Sequence, residues 1–159
     1  MASKRSGLDR LIDALAVVAG ALLCALVLLI LVDVMARYLR WFSLAWGLEA
    51  SEYILYAVTF LGAPWVLREQ GHIAIDLVVE RLSERARRKA RVVANALGAV
   101  VCAVLLYVAC GVVWQSYAAG TMVHKSFVFP EWLVFAGMPP IFLILLAVYL
   151  RWLARPAGR

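Results

Sequence analysis

The chain contains 159 residues, of which 65% are hydrophobic, and its mean hydropathy is +0.89. Such a composition excludes an ordinary soluble domain and indicates a membrane protein. The net charge of +6 does not indicate a nucleic-acid partner, because the basic residues flank apolar segments, where they suit a membrane surface.

Four apolar segments divide the chain into five polar pieces, and the basic residues are distributed unevenly among them. The first, third and fifth pieces hold 13 of the 16 lysines and arginines, whereas the other two hold Arg37, Arg40 and Lys125. Basic residues stay on the cytoplasmic side of a bacterial membrane because they resist translocation. The sequence therefore predicts a single-domain, all-α, multi-pass protein of the bacterial inner membrane, with four transmembrane helices and both termini in the cytoplasm. The 13 residues are Lys4, Arg5, Arg10, Arg68, Arg81, Arg85, Arg87, Arg88, Lys89, Arg91, Arg151, Arg155 and Arg159.

The first transmembrane helix is predicted over residues 11–39. Its apolar core, Ala14 to Val32, is longer than the hydrophobic region of a typical signal peptide. Asp33 and Arg37 lie four residues apart near the outer end, so their side chains share one face of the helix and can form an ion pair. Pairing lowers the cost of an acid at the membrane boundary, and we therefore expect a structural intramembrane pair.

The second helix is predicted over residues 48–67, after an outer loop that is rich in aromatic side chains. Trp46 in that loop is placed at the depth of the lipid headgroups, as in an aromatic belt, and Glu49 in the first helical turn is placed at the outer boundary of the membrane. Pro64 removes one backbone hydrogen-bond donor, and the sequence predicts a kink near the inner end of this helix.

An amphipathic segment follows on the inner side, where residues 72–82 are too short and too charged to cross a bilayer. Apolar side chains recur there at helical spacing, and the acids fall on another face. The pattern predicts an arm helix that lies along the inner membrane surface. The residues that define this arm are His72, Ile75, Asp76, Val79 and Leu82.

The third helix is predicted over residues 84–117, and it carries a small residue at every fourth position. Helix 1 carries a shorter stripe of the same kind. Small residues let helices approach closely in lipid, so the stripes predict packing seams, either between helices 1 and 3 or against partner subunits. The stripes are Ala90, Ala94, Gly98 and Cys102 on helix 3, and Ala16, Gly20 and Cys24 on helix 1.

The fourth helix is predicted over residues 132–153, after a second outer loop at residues 115–131. Pro139 and Pro140 fall within this helix, and we expect them to interrupt its backbone hydrogen bonding about one-third of the way along.

The ionisable residues do not form a recognisable catalytic or ligand-binding pattern in the sequence. The sequence contains no catalytic, nucleotide-binding or metal-ligand motif, and its two histidines are predicted on opposite sides of the membrane. The acids nearest the membrane, Asp33, Glu49 and Glu52, lie close to the outer boundary rather than mid-membrane. We therefore expect neither an enzyme nor a cofactor-binding protein, and we interpret the three cysteines as small packing residues. A membrane architecture without a chemical site suggests a subunit of a larger assembly.

Several motifs, in a fixed order, give the sequence a resemblance to a known family. Together they cover roughly residues 30–155 and resemble the small, Q-type membrane subunit of tripartite ATP-independent periplasmic (TRAP) transporters. The sequence departs from the family pattern at Ala50, where a second acid is usual, and at Ser83, where a proline is often found. The motifs are Arg37-Tyr38, Trp46-Gly47-Leu48-Glu49, Phe60-Leu61-Gly62-Ala63, Gly71-His72-Ile73-Ala74-Ile75-Asp76 and Phe129-Pro130-Glu131-Trp132.

The resemblance implies a scaffold role in sodium-driven, binding-protein-dependent uptake of a small organic acid. It implies a large membrane subunit that holds the sodium and substrate sites, a periplasmic binding protein that docks on the outer face, and no cofactor in this subunit. The arm would then contact the large subunit or the lipid. The outer residues are either ordinary belt residues or the docking face for the binding protein; they are Arg40, Trp46, Glu49, Lys125 and Glu131.

Two other classes of function remain open as alternatives. A stand-alone four-helix exporter would need an embedded acid for proton exchange. A membrane anchor of a redox complex would need ligands for haem or quinone.

Overall fold

The computed structural model describes residues 7–39, 46–70, 84–124 and 128–154. Within these ranges the chain forms five helices and one two-stranded sheet. In chain order the elements are α1 (Gly7–Tyr38), α2 (Gly47–Gln70), α3 (Glu84–Ala119), β1 (Met122–His124), β2 (Val128–Pro130), α4 (Trp132–Phe135) and α5 (Met138–Ala154).

Four stretches of helix are long and apolar enough to cross a membrane. A hydrocarbon core of about 30 Å needs about 20 helical residues, and the shortest of the four stretches has 23. The prediction of an all-α protein with four membrane-spanning helices is therefore confirmed, and the predicted ends differ from the observed ones by at most four residues. The stretches are Gly7–Tyr38, Gly47–Glu69, Arg85–Ala119 and Trp132–Ala154.

The break in the last span lies ahead of its two prolines. Helix α4 ends at Phe135 and α5 begins at Met138, so Pro139 and Pro140 occupy the first turn of α5. The N–H groups of a first turn have no acceptor within the helix, and proline fits there without loss of a hydrogen bond. The expectation that the prolines interrupt the hydrogen bonding of a running helix was wrong, because the turn at residues 136–137 has already ended the preceding one.

The helices pack as two pairs. Helix α1 packs against α2, and α3 packs against α5; contacts between α2 and α5 join the two pairs. Among the described residues, a direct seam between α1 and α3 is at most a minor contact. The alternative that placed helix 1 on helix 3 therefore does not describe the main packing.

Helix α1 buries residues at intervals of seven, at Ile12, Ala19 and Leu26. This spacing keeps them on one side of the helix, which faces α2. A Cβ added to Gly62 of α2 would lie 4.0 Å from the Ala19 Cβ, which is an ordinary van der Waals contact. The close approach of α1 and α2 thus uses small residues, but not the predicted stripe, whose last member Cys24 is exposed.

Large apolar side chains cover the outside of the bundle. Val17 and Leu48 are each 73% exposed, and Leu97 is 62% exposed. Continuous apolar surface of this kind promotes aggregation in water, whereas in a bilayer it contacts acyl chains or another membrane protein. The surface of the bundle is therefore suited to lipid and to protein neighbours.

Candidate functional site at the two ends of the helix bundle

The bundle has two chemically distinct ends. One end carries the start of α2, the end of α3, the β-hairpin and α4; we call it the outer end, following the charge distribution along the sequence. The other, inner end carries the first turns of α1 and α3 and the last turns of α2 and α5. Polar and aromatic contacts concentrate at these ends, so the candidate sites of the described chain lie there.

At the outer end the chain turns back after α3 and forms a small hairpin from β1 and β2, where the sequence predicted only a loop. Gly120 has a φ of 61°, a left-handed conformation that glycine adopts without steric cost. Its N–H donates to the Tyr117 carbonyl at 3.2 Å. The strands then pair antiparallel, with Met122 opposite Pro130.

Glu131 holds this hairpin against the end of α3. Its carboxylate accepts hydrogen bonds from the Thr121 hydroxyl at 2.7 Å and from the Ser116 hydroxyl at 3.4 Å. Its backbone N–H donates to the Thr121 carbonyl at 3.0 Å. Glu131, a predicted member of the docking face, therefore supports the hairpin from within. Ser116 and Thr121 were missed by sequence reasoning, because nothing local marks a hydroxyl as the partner of an acid ten or fifteen residues away.

Aromatic rings surround the hairpin. Tyr117 packs between Trp114, at a centroid distance of 6.4 Å, and Trp132, which it meets edge-on at 6.0 Å. On the other side, Phe129 of β2 packs edge-on against Tyr53 of α2 at 5.5 Å. Edge-on ring contacts add to the free energy gained by burial, so the hairpin is anchored to both α2 and α3.

The remaining members of the predicted docking face are only partly described. Trp46 is exposed immediately before α2, and Glu49 is half-buried in the first turn of that helix. A carboxylate there interacts favourably with the positive end of the helix dipole. Arg40 and Lys125 lie outside the described residues.

Asp33 and Arg37 form the ion pair that their spacing indicates. Arg37 donates to the Asp33 carboxylate at 2.7 Å. The Arg37 side chain is 69% exposed and that of Asp33 is 20% exposed. The pair lies in the last turns of α1, at the outer end, so the acid is partnered by a side chain of its own helix.

At the inner end, two arginines bind two aspartates of the first helix. Arg68 of α2 donates to Asp13 at 2.6 Å. Arg151 of α5 donates to the Asp9 carboxylate from both terminal guanidinium nitrogens, Nη1 and Nη2, at 2.8 and 3.1 Å. Arg68 also donates to the backbone carbonyl of Asp9 at 3.3 Å. This inner ion cluster, Asp9, Asp13, Arg68 and Arg151, joins α1 to both α2 and α5.

Sequence reasoning placed Arg68 and Arg151 on the inner side but missed their acidic partners. Asp9 and Asp13 are spaced four residues apart, so they lie on one face of α1. The sequence concentrates its arginines on the inner side, where α1 begins. Two acids on one face at the start of that helix could have identified Asp9 and Asp13 as partners of the arginines.

The arm residues His72, Ile75, Asp76, Val79 and Leu82 lie outside the described residues. Within the described ranges, no group of three or more His, Cys, Asp and Glu side chains is placed to hold a metal ion. The cysteines are free thiols; Cys24 and Cys110 are exposed, and Cys102 is buried.

Comparison with known proteins gives one clear finding. A family model described as "Tripartite ATP-independent periplasmic transporters, DctQ component" matches residues 26–159. The match begins within α1 and includes every later element. A search of curated proteins found no match to the chain.

Proposed function

The chain belongs to the DctQ component family of tripartite ATP-independent periplasmic transporters, and we propose that it is the small membrane subunit of such a transporter. In this role it pairs with a large membrane subunit and a periplasmic binding protein in the sodium-driven uptake of a small organic acid. The observation that carries the proposal is the family match, which covers residues 26–159.

The surface of the bundle supports a role as a scaffold. Large apolar side chains are exposed along α1 and α3, among them Val17, Val34, Leu97 and Val104. Because both α1 and α3 expose apolar side chains, this bundle can contact lipid along one helix and a second membrane protein along the other. The large subunit is therefore expected to cover part of this surface, and the arm is expected to extend the contact along the inner face of the membrane.

The embedded acid supports the same division of labour. Asp33 binds Arg37 at 2.7 Å at the outer end of α1. A sodium ion would have to displace the Arg37 guanidinium from this carboxylate, which costs free energy, so the acid is poorly suited to carry a cation. We therefore assign the sodium and substrate sites to the large subunit. The small subunit then provides a docking surface for the binding protein at its outer end, where Glu131 and the aromatic residues hold the hairpin in place.

Reconstitution of purified components tests this proposal. The chain alone, in vesicles with a sodium gradient and the binding protein, should give no uptake of the organic acid. The chain together with its large subunit should give uptake that requires both sodium and the binding protein. Uptake by the chain alone, or failure of a tagged copy to co-purify with a large multi-helix subunit from its native membrane, would refute the proposal.

A further inference from the structure

A cavity of about 810 Å³ lies between the two helix pairs. Its volume is within the roughly 300–1,000 Å³ that is usual for a ligand pocket. Small residues make room for it: Ala16 and Gly20 on α1, Gly62 on α2 and Ala94 on α3 all line the space. Both predicted small-residue stripes therefore border a cavity over part of their length.

The cavity opens toward the surroundings of the bundle. Leu23 of α1 and Trp65 and Val66 of α2 line it, and each of these side chains is nearly half exposed. Apolar walls disfavour water, which would lose hydrogen bonds there. An opening toward the bilayer gives acyl chains access, so hydrocarbon is the occupant that this environment favours.

The inner end of the cavity is polar. Asn95, which lines it, is only 8% exposed. Arg91 lies one helical turn closer to the inner end, on the same face of α3. On the neighbouring helices, Arg68 follows the lining residue Leu67, and Arg151 precedes the lining residue Trp152. Donors of hydrogen bonds and positive charge thus lie where the cavity approaches the inner membrane surface.

The inner end as a whole has an excess of positive charge. Acids neutralise part of it, including Asp9 and Asp13, which bind Arg151 and Arg68. In the described part of the chain eight basic residues lie there against four acidic ones. The basic residues are Arg10, Arg68, Arg85, Arg87, Arg88, Lys89, Arg91 and Arg151, and the acidic ones are Asp9, Asp13, Glu69 and Glu84.

We propose that this cavity binds an anionic phospholipid of the inner leaflet. An acyl chain occupies the apolar space between the helix pairs, and the phosphate lies at the level of Asn95 and Arg91. Basic residues between membrane helices on the cytoplasmic side attract anionic headgroups, and a guanidinium binds phosphate oxygens through charge-assisted hydrogen bonds. This site would stabilise the contact between the helix pairs, independently of any transport step.

Lipid retention by the full-length chain tests the proposal. The chain is purified in a mild detergent and mixed with phosphatidylglycerol or phosphatidylcholine of the same acyl composition; bound lipid is counted by native mass spectrometry. Wild type should retain one phosphatidylglycerol, with an affinity about tenfold higher than for phosphatidylcholine. Equal retention of the two lipids would refute the assignment of an anionic headgroup.

Three variants separate the two parts of the site. A Cβ on Gly20 meets no atom within 4 Å, so a side chain can begin there, and the larger side chain of Gly20→Leu should occupy part of the cavity and lower lipid retention about tenfold. Gly111→Leu is the matched control, because Gly111 is also open but does not line the cavity, and it should retain lipid as wild type does. Arg91→Gln should bind both lipids but lose the preference for phosphatidylglycerol. Wild-type retention by Gly20→Leu would overturn the proposal.

A photocrosslink provides a second measurement that does not depend on the folding of these variants. A benzophenone amino acid at Leu23, in the opening of the cavity, is activated in native membranes of cells that express all components of the transporter. An adduct whose mass increases by that of a phospholipid supports the proposal. An adduct with another membrane protein alone would show that a protein occupies the opening, and would refute it.

Discussion

The ring of Tyr149 on α5 lies directly against the backbone of Gly98 on α3. A Cβ added to Gly98 would come to 2.9 Å from the Tyr149 Oη, and closer still to two ring carbons. Side chains essentially never approach a Cβ so closely, so glycine is what allows α3 and α5 to meet at this point. The same ring packs edge-on against Trp152 at 5.7 Å, and its displacement would therefore disturb a second contact.

The first prediction follows from this contact. Gly98→Ala should lower the free energy of unfolding by about 1–3 kcal/mol, because an added methyl group in a close-packed seam forces side chains and backbone to shift. The measurement is unfolding of the purified chain in mixed detergent micelles. The control is Gly111→Ala on the same helix, where an added Cβ meets no atom within 4 Å. Gly111→Ala should be neutral or stabilising by up to about 1 kcal/mol, and equal destabilisation by both variants would contradict the prediction.

The second prediction concerns the bond between Asp9 and Arg151. A double-mutant cycle with Asp9→Asn and Arg151→Gln should give a coupling energy within the roughly 0.5–3 kcal/mol found for contacting residues. Both side chains are partly buried and their hydrogen bonding is bidentate, so solvent screens them less than it screens an exposed pair. The comparison is the same cycle on Asp33 and Arg37, an i,i+4 pair with an exposed arginine, where about 0.3–0.5 kcal/mol is expected. A coupling at Asp9 no larger than that of this pair would show that the bond between Asp9 and Arg151 contributes no more to stability than an exposed ion pair.

The sequence predicted the four membrane helices, because length, hydropathy and flanking charge are local properties of each segment. The Asp33–Arg37 pair could be predicted for the same reason, because a spacing of four residues in a helix is enough to place two side chains next to each other.

The contacts that sequence reasoning missed are distant in the chain. Asp9 and Arg151 are 142 residues apart, and nothing along the sequence states which helices become neighbours. The same holds for Gly98 and Tyr149: a glycine in a stripe of small residues indicates a close contact, but its partner is known only once the helices are packed. The hairpin between α3 and α4 was missed for another reason, since its strands have only three residues each and leave no measurable alternation of apolar and polar residues.

The third prediction concerns the hairpin. Glu131→Gln should destabilise the hairpin by about 1 kcal/mol, the difference between hydrogen bonds to a charged and to a neutral acceptor, because its carboxylate accepts from both Thr121 and Ser116. Hydrogen exchange of the backbone amides of β1 and β2 should then become faster. Ser116→Ala, which removes the longer bond, should have a smaller effect than Thr121→Val. Unchanged exchange in Glu131→Gln would show that these bonds do not hold the hairpin in place.

The fourth prediction concerns orientation in the membrane. Val128 on the hairpin is exposed, and Lys89 in the first turns of α3 is exposed at the opposite end of the bundle. A cysteine at position 128, in a background without the three native cysteines, should react with a membrane-impermeant maleimide applied to intact spheroplasts. A cysteine at position 89 should react only after the membrane is permeabilised, since the basic inner end is placed in the cytoplasm. The reverse pattern of labelling would invert the topology.

The fifth prediction tests whether the embedded acid takes part in transport. Asp33→Asn should leave sodium-driven uptake by the assembled transporter within about twofold of wild type, since substitutions away from buried networks change free energies by less than about 0.5 kcal/mol. Asparagine keeps an oxygen that can accept the hydrogen bond from Arg37, and Arg37→Gln should be equally mild if the two residues form only a structural pair. Uptake is measured in vesicles containing both membrane subunits and the binding protein, with complex assembly checked by co-purification. Loss of uptake in Asp33→Asn but not in Arg37→Gln, with the complex intact, would mean that the carboxylate itself acts in coupling. The scaffold function would then have to be replaced by one in which the two membrane subunits share a site, because the charge at position 33 would be needed for transport and not for folding.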